Sequence, residues 1–287
     1  MKAADFLYHR ATSIGDAVRY LDDYGGSARV LAGGQSLMPM LNMRLWRPAA
    51  LIDINAVPDI ANVQARGEET VLGAMVRHVT IETSPIVAAR LPLLALMIRS
   101  VGDRQIRNRG TLGGSLVQGD PSAEMPLACL VLDAGPTVVG RRGSREIRMD
   151  AFYEGSYAAA LTPDELLTQI AFPKHPPHFA FREVCRRHND FATVAVAATG
   201  YRDADGCWRR IRLGLGGVHD VPMLASRAMA LLDGSRLTDA DIAAAASEAP
   251  RSVAPLSDMR ATETYRRHLL AVYVRRVLTD LRSSAAT

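Results

Sequence analysis

Residues 30–45, VLAGGQSLMPMLNMRL, join a short apolar run to two adjacent glycines and then to a segment of helical composition. Gly33 and Gly34 have no Cβ atom, so the backbone there can take a positive φ angle and approach a bound group closely. Ser36 suits an N-cap position, and Pro39 falls in the first turn of the helix that would follow, where a missing N–H costs little. The pattern predicts a strand, a turn and a helix, with free backbone N–H groups that suit a phosphate.

A second glycine-rich stretch has the same character. Residues 110–119 read GTLGGSLVQG and are followed by a helical pattern that contains Glu124. One Gly-Gly turn alone is as compatible with an ordinary connection as with a ligand site. Two such turns favour a single extended ligand that carries phosphate.

The composition is that of an ordinary globular protein. Of the 287 residues, 48% are hydrophobic and 22% are charged, which is typical of folded domains. The longest apolar runs fall far short of the ~18 residues needed to span a bilayer, and the N-terminal segment lacks the apolar centre of an export signal. We therefore expect no membrane span and a cytoplasmic location. The net charge of +4 comes from dispersed arginines, so we expect no nucleic-acid-binding face.

The cysteines exclude several metal centres from this chain. Cys129, Cys185 and Cys207 are widely separated and form no C-x-x-C pair, so the sequence cannot by itself build a zinc site or an iron–sulfur cluster. Motifs of zinc proteases and P-loop nucleotide-binding proteins are also missing. If the protein takes part in metal chemistry, other polypeptides must carry the metals.

The predicted elements fall into three groups along the chain. Residues 1–55 and residues 56–176 each have the pattern of an α/β unit, and prolines at 173, 176 and 177 mark a boundary. Beyond it the pattern predicts three antiparallel strands and then three helices, at 179–186, 192–201, 208–216, 223–232, 239–248 and 262–281. We therefore expect one domain at 1–176, with subdomains at about 1–55 and 56–176, and a second domain at 177–287.

Several motifs resemble those of a known family, the FAD-binding medium subunits of the molybdenum hydroxylases. The likeness covers nearly the whole chain and is carried by AGGQS at 32–36, TLGGS at 111–115, DPSAEMP at 120–126, FREVCRRHNDFATVAVAA at 181–198 and SDMRATETYRRHLLAVYVRRVL at 257–278. The resemblance implies an α+β fold. A PCMH or vanillyl-alcohol-oxidase type of FAD-binding domain, made of two α/β subdomains, would precede a C-terminal α+β domain with a three-stranded antiparallel sheet and a three-helix bundle.

The resemblance also implies an FAD site. The first glycine turn would hold one side of the pyrophosphate, and the second would close on the flavin side, where glycine lets the ring approach the main chain. Glu124 would accept hydrogen bonds from hydroxyls of the adenosine ribose, and Leu167 would pack on the adenine. Arg182 and Phe191 would lie near the isoalloxazine. The implied cofactor-binding set is Ala32, Gly33, Gly34, Gln35, Ser36, Leu37, Thr111, Gly113, Gly114, Ser115, Glu124, Leu167, Arg182 and Phe191.

The function that this resemblance implies is an electron relay within a complex. A large partner would oxidise substrate at a molybdenum cofactor, a small partner would carry electrons through two [2Fe-2S] clusters, and FAD on this chain would pass them to an external acceptor. The complex would be a dimer of heterotrimers. The protein needs no catalytic acid, base or metal ligand of its own, because the chemistry belongs to the cofactor. Neither the substrate nor the acceptor can be read from this chain.

Two other functions stay open on the residues alone. Residues 34–36 begin like the nucleophile elbow of a serine hydrolase with Ser36 as nucleophile, but Met38 stands where that motif requires glycine. A nucleotide-binding module without a redox role would have the same two glycine turns. A yellow protein that releases FAD on denaturation would separate the flavoprotein from both alternatives.

Overall fold

The first part of the chain forms a small parallel sheet. In the computed structural model, which describes residues 2–187 and 189–284, strands β1 (Leu7–Arg10), β2 (Ala28–Leu31) and β3 (Ala50–Asp53) lie in the order β1-β3-β2. Helix α1 (Ile14–Asp23) buries Ala17, Val18 and Leu21 and begins at a Ser13 side-chain cap, and α2 (Leu37–Asn42) follows the first glycine turn. The strand, turn and helix expected within residues 30–45 are confirmed.

The second part is built around a five-stranded antiparallel sheet. Its strands are β4 (Val63–Arg66), β5 (Glu69–Gly73), β6 (Gly135–Gly140), β7 (Gly143–Glu146) and β10 (Leu166–Phe172), in the order β4-β5-β10-β6-β7. A short hairpin of β8 (Tyr153–Gly155) and β9 (Ala158–Ala159) precedes β10. Strand β10 pairs with both β5 and β6. The segment between β5 and β6 therefore starts and ends at the same sheet and belongs to one unit with it.

Six short helices lie in the long connection between β5 and β6. They are α3 (His78–Thr83), α4 (Pro85–Arg90), α5 (Pro92–Met97), α6 (Arg104–Arg109), α7 (Leu112–Gln118) and α8 (Glu124–Val131). Helix α4 ends at Arg90 and α5 begins at Pro92, because proline cannot donate the hydrogen bond that would continue α4. All residues of α8 are buried. This helix packs against α7, which begins in the second glycine turn.

The C-terminal part has four antiparallel strands, so the expected three-stranded sheet is wrong by one strand. Strands β11 (His178–Val184), β12 (Val194–Arg202), β13 (Trp208–Gly216) and β14 (Met223–Leu224) lie in that order. Met223 and Leu224 pair with the free edge of β13 instead of opening a helix. A short apolar run does not reveal by itself whether it belongs to a helix or a strand.

Helices cover one face of this C-terminal sheet. They are α9 (Ser226–Leu232), α10 (Asp239–Glu248) and α11 (Glu263–Ser283). Successive residues of β11 point to opposite faces: Ala180 packs with residues of α11, whereas Phe179 and Phe181 pack against the core that contains α8. The C-terminal sheet is therefore held between its own helices and the second part of the chain. The helices within the described residues are all too short or too polar to span a bilayer.

Candidate functional site

The first glycine turn, residues 32–37, presents unpaired backbone donors. Gly34 has a φ angle of +74°, and its carbonyl accepts from the N–H of Met38. Within the described residues, the N–H groups of residues 34–37 find no acceptor. Ser36 occupies the N-cap position of α2, but its hydroxyl makes no capping hydrogen bond, which departs from the capping role expected. The turn therefore offers consecutive N–H groups and a free hydroxyl to an anion.

The second glycine turn, residues 110–115, is bonded to the protein. The N–H of Leu112 donates to the carbonyl of Val76 at 3.0 Å, and that of Gly113 donates to the carbonyl of Ala74 at 2.8 Å. The Thr111 side chain caps α7 by accepting from the N–H of Gly114 at 3.1 Å. This turn is thus a rigid frame whose position is set by the segment after β5.

Gly113 has a packing reason for being glycine. A Cβ atom placed on it would lie 2.6 Å from the Cβ and 2.8 Å from the carbonyl oxygen of Ala74. Real Cβ atoms do not approach other atoms so closely, and the backbone of Ala74 cannot move away without disturbing β5. The structure therefore places Gly113 against protein, whereas the sequence led us to expect that glycine here admits the flavin ring.

The two glycine turns lie directly against each other. A Cβ atom on Gly33 would collide with the Arg109 carbonyl oxygen and lie 3.0 Å from the Cα of Gly110, and one on Gly114 would reach Ala32 at 3.8 Å. The absence of side chains at Gly33 lets the two backbones touch. An open cavity of about 490 Å³ adjoins the first turn and is lined by Gly33, Gly34, Gln35, Met38, Asn42 and Arg109. The turns thus form one continuous surface.

A side-chain link joins the turns behind this surface. Arg77 donates from Nη1 to the carbonyl of Arg109 and from Nη2 to the Oδ1 of Asn55 at 2.5 Å. Asn55 in turn donates from Nδ2 to the carbonyl of Ala32 at 3.0 Å. We call this chain of bonds the Arg77–Asn55 link. Sequence reasoning missed it, because its members are separated along the chain by up to 77 residues and belong to no motif.

The site has an excess of positive charge. Burial lowers the pKa of Arg77, and the nearby charge of Arg109 lowers it further, while Asp53 partly opposes this. Among the described residues, no carboxylate is within ion-pair distance of Arg77, and its hydrogen bonds go to uncharged oxygens. Two arginines beside a row of unpaired N–H groups make a complementary surface for a pyrophosphate.

Glu124 lies at the start of α8 and is only 6% exposed. Burial raises the pKa of its carboxyl to about 8, with further contributions from the charges of Glu183 and Asp120. Burial also raises the pKa of Glu183 to about 7, against a hydrogen bond from Ser100 that lowers it. The Oε2 atom of Glu183 is buried and accepts no hydrogen bond from the part of the chain that the structure describes. The charge of Glu183 acts on Glu124 where β11 packs on the second part of the chain.

Glu183 was not among the residues singled out from the sequence. It shares the inward face of β11 with Phe179 and Phe181, whereas Arg182 points the opposite way. This alternation could have been read from the sequence, because a charged residue follows two aromatics at a period of two.

Arg182 is not brought together with the glycine turns. It lies on the face of β11 that packs against α11 and forms an ion pair with Asp280, with Nη2 donating to Oδ1 at 3.1 Å. That ion pair raises the pKa of Arg182. Leu167 lies on β10, opposite Val138, and is only 3% exposed within the core. Leu167 therefore has no open surface for a ligand ring, whereas the Arg182 side chain is 48% exposed and pairs with Asp280.

Phe191 is 49% exposed and lies beside Arg260, whose charge also acts on Tyr157. The guanidinium of Arg260 is 5.0 Å from the Phe191 ring centroid. The N–H of Tyr157 donates to the carbonyl of Gly119 at the C-terminal end of α7, the end away from the second glycine turn. Nearby, the hydroxyl of Tyr157 donates to Asp120 at 3.2 Å, and burial, followed by the charge of Asp120, raises the pKa of Tyr157 to about 12. Helix α7, with its seven residues, is about 10 Å long. A ligand that reached from the glycine turns to Phe191 would therefore have to be extended.

Other chemistry is poorly supported by the arrangement. Within residues 2–187 and 189–284, no three His, Cys, Asp or Glu side chains are grouped so that they could hold a metal ion. In the same part of the chain, no histidine hydrogen-bonds to Ser36. A serine nucleophile at this position would thus lack the base that activates it.

Comparisons with known proteins agree with this arrangement. The family model described as the FAD binding domain in molybdopterin dehydrogenase matches residues 3–175, and the model of the CO dehydrogenase flavoprotein C-terminal domain matches residues 179–281. The chain is 36% identical over 280 residues to the 6-hydroxypseudooxynicotine dehydrogenase complex subunit alpha of Paenarthrobacter nicotinovorans, which covers 97% of this chain and 95% of that one.

Two carbon monoxide dehydrogenases are similar over the full length. The medium chain from Afipia carboxidovorans is 34% identical over 287 residues and covers 99% of both chains. The solved structure of carbon monoxide dehydrogenase from Hydrogenophaga pseudoflava superposes with a TM-score of 0.97, at 34% identity and with 100% of both chains covered.

Proposed function

Since this chain belongs to the family of FAD-binding medium subunits of the molybdenum hydroxylases, we propose that its FAD lies across the joined surface of the two glycine turns. The chain is an oxidoreductase flavoprotein subunit of such a complex. The observation that carries the proposed site is the row of unpaired N–H groups at residues 34–37, beside Arg77 and Arg109. The oxygens of a pyrophosphate are negatively charged acceptors, which these N–H groups and arginines can bind.

In this proposal, different residues of the site contact different parts of FAD or hold the turns in position. Residues 32–37 hold the pyrophosphate through the main chain, and the Ser36 hydroxyl adds a donor. Thr111, Gly113, Gly114 and Ser115 keep the second turn in place, and the hydroxyl of Ser115 is available on it. Glu124 accepts hydrogen bonds from hydroxyls of the ribose, and Phe191 covers part of the isoalloxazine ring. Leu167 supports the site from the core, and Arg182 stays with Asp280 outside it.

Bound FAD supplies the redox chemistry. The protein binds it, excludes water from one side and neutralises its phosphates. We propose that the chain positions FAD to accept electrons from two [2Fe-2S] clusters on a small partner subunit and to pass them to an external acceptor. A large partner carries the molybdenum cofactor in this proposal, and the assembly is a dimer of heterotrimers. Relatives that match over the full length are named as medium chains, which supports this assignment.

The domain boundaries expected from the sequence also form part of the proposal. We place an FAD-binding domain at 1–176, with subdomains at about 1–55 and 56–176, and a C-terminal domain at 177–287. Each of the three divisions has residues in a different hydrophobic core: one core contains Ile52 in β3, one contains Leu127 in α8 and one contains Val196 in β12. The core that contains Leu127 also includes Ala195 and Ala197 of β12 and so joins the two domains.

The test compares ligands that differ in their phosphates. The flavin is removed from the purified chain, which is then titrated with FAD and with riboflavin, and flavin fluorescence is followed. We expect FAD to bind with one molecule per chain and about 100-fold more tightly than riboflavin, because each charge-assisted hydrogen bond contributes about 1.5–3 kcal/mol. Equal affinities would refute the placement of the pyrophosphate on the turns. A colourless chain that FAD cannot reconstitute would refute the flavin site altogether.

A further inference from the structure

A second cavity lies at the C-terminal end of α2, whereas the first glycine turn lies at its N-terminal end. Its volume is about 340 Å³, and it is lined by Ser27, Arg29, Leu45, Trp46 and Arg47. We call these five residues the Arg29 groove. None of them belongs to the proposed FAD site.

Arg29 carries a charge that the described part of the chain does not balance. Its guanidinium lies 4.1 Å from the ring centroid of Trp46, and Nη1 donates to the carbonyls of Gly26 at 3.0 Å and Ala28 at 2.9 Å. The Nε atom is buried and has no hydrogen-bond partner among residues 2–187 and 189–284. Burial lowers the pKa of Arg29, and no carboxylate of the described residues offsets that effect. A half-buried cation of this kind is costly unless an anion pairs with it.

The loop beside Arg29 holds an apolar side chain outward. Helix α2 ends with Arg44 at a φ angle of +57° and with the N–H of Leu45 donating to the carbonyl of Met40 at 3.0 Å. Glycine is usual at such a left-handed position, and another residue there costs roughly 1–2 kcal/mol. The residue that follows commonly packs back on the helix, yet Leu45 is 66% exposed. The strained turn therefore presents Leu45 next to Trp46 and Arg47.

We propose that the Arg29 groove receives an aspartate or glutamate side chain, together with a neighbouring apolar residue, from a partner subunit of the complex. The planar guanidinium of Arg29 can bind a carboxylate through two parallel hydrogen bonds. Leu45 supplies the apolar contact, and tryptophan and arginine are the residue types that dominate interface energetics. The inference rests on the proposed assembly with partner subunits.

The charge of the loop argues for a partner and against a second copy of this chain. Residues 43–50, MRLWRPAA, contain two arginines and no acidic residue. In a symmetric dimer each copy would place this same basic surface against itself, and like charges would repel. A free inorganic anion would satisfy Arg29 but would leave Leu45 exposed. An acidic and apolar segment of another subunit satisfies both features.

The experiment measures the affinity of this chain for its large and small partner subunits. Arg47→Glu and Leu45→Ser are the decisive variants, because both side chains are exposed and their replacement leaves the fold intact. The controls are Arg148→Glu, at a side chain 81% exposed, and Leu231→Ser, at a residue 50% exposed. We expect the two groove variants to bind the partners at least ~10-fold more weakly, with both controls unchanged. Arg29→Lys should fall between wild type and Arg29→Ala, since lysine cannot form the paired hydrogen bonds.

FAD content is measured on every variant, so that failure of the FAD site is read separately from failure of the groove. Wild-type affinity in both Arg47→Glu and Leu45→Ser would overturn the proposal. Two further results together would also overturn it: inorganic phosphate raises the Tm of the wild type but not of Arg29→Ala, and partner affinity is the same in Arg29→Ala as in the wild type. The groove would then be a small-anion site. Self-association of the isolated chain that is lost in Arg47→Glu, with partner affinity unchanged, would also overturn it.

Discussion

The N–H groups of residues 34–37 in the first glycine turn have no acceptor among the described residues, whereas those of residues 112–115 in the second turn are all bonded within the protein. Both turns contain Gly-Gly with a serine one or two positions later, and the sequence predicted ligand binding for both. The first turn is left open for a ligand. The second is a frame that holds the first in position through the contact of Gly33 with residues 109–110. Gly34 gives the first turn its positive φ angle, whereas Gly33 and Gly113 are glycines because other backbone atoms pack closely against them.

The largest difference between the two turns is expected in the free energy of unfolding, when Gly113→Val is compared with a variant of the first turn. The new side chain would collide with the backbone of Ala74, so the free energy of unfolding of the apo-protein should fall by about 3 kcal/mol. Gly34→Ala is the counterpart in the first turn. Its Cβ would meet only the side chains of Met38 and Leu31, at 3.2 and 3.3 Å, so only the cost of a positive φ angle remains, about 1–2 kcal/mol. Urea unfolding of the two variants measures the difference, and equal losses would contradict it.

The next largest effect is expected at the Arg77–Asn55 link. Arg77→Ala removes the donors that tie the carbonyl of Arg109 to Asn55, so FAD affinity should fall about 30-fold, equivalent to about 2 kcal/mol. Arg77→Lys should recover part of this loss. Arg90 is a matched control, because it also donates to main-chain carbonyls, those of Gly67 and Glu69, away from the turns. Fluorescence titration with FAD would count against the link if Arg90→Ala weakened binding as much.

A smaller effect is expected from pH. The pKa of Glu124 is raised by burial from its ordinary 4.5 to about 8 in the folded protein. Unfolding exposes the carboxyl, which then ionises above about pH 4.5, so its stabilising contribution is complete below that pH and is lost as the pH rises to about 8. The Tm of the apo-protein should therefore fall by several degrees over this range. Glu183, whose pKa is raised to about 7, and Asp120 face the same carboxyl.

Glu124→Gln tests this pH effect, because glutamine keeps the shape and removes the titration. The variant should show a flatter dependence of Tm on pH between 4.5 and 8. If ribose hydroxyls donate to the ionised carboxylate, FAD affinity of the wild type should rise over the same pH range, and that rise should vanish in the variant. An unchanged Tm profile in Glu124→Gln would show that another group is responsible.

The smallest effects compare the two hydroxyls. Thr111→Ala removes the cap on the Gly114 N–H and should cost about 1 kcal/mol of stability. Ser36→Ala removes no hydrogen bond within the protein, so apo stability should change by less than about 0.5 kcal/mol, while FAD affinity falls a few-fold. Thermal unfolding with and without FAD distinguishes the two. The comparison fails if Ser36→Ala destabilises the apo-protein as much as Thr111→Ala.

Much of the fold and part of the site could be predicted. The strand, turn and helix within residues 30–45 follow from local rules for glycine, serine and proline, and the long C-terminal helix follows from its apolar spacing. The fourth strand of the C-terminal sheet could not be predicted, because Met223 and Leu224 become a strand only by pairing with the edge of β13. The side of β11 on which Arg182 lies could not be predicted either, since only the packing of β11 between two layers decides which face meets α11.

The sequence by itself determined the two glycine turns, the three groups of elements and, through the motifs, the family. These depend on residues that are close along the chain, where backbone freedom, capping and apolar periodicity act. Only the tertiary structure decided which N–H groups are free, because the acceptors that occupy the second turn are carbonyls of Ala74 and Val76, far away in sequence. It likewise decided that Arg77 and Asn55 join the turns and that Glu183 meets Glu124. Contacts of this kind arise from the packing of separate elements, which local residue patterns do not specify.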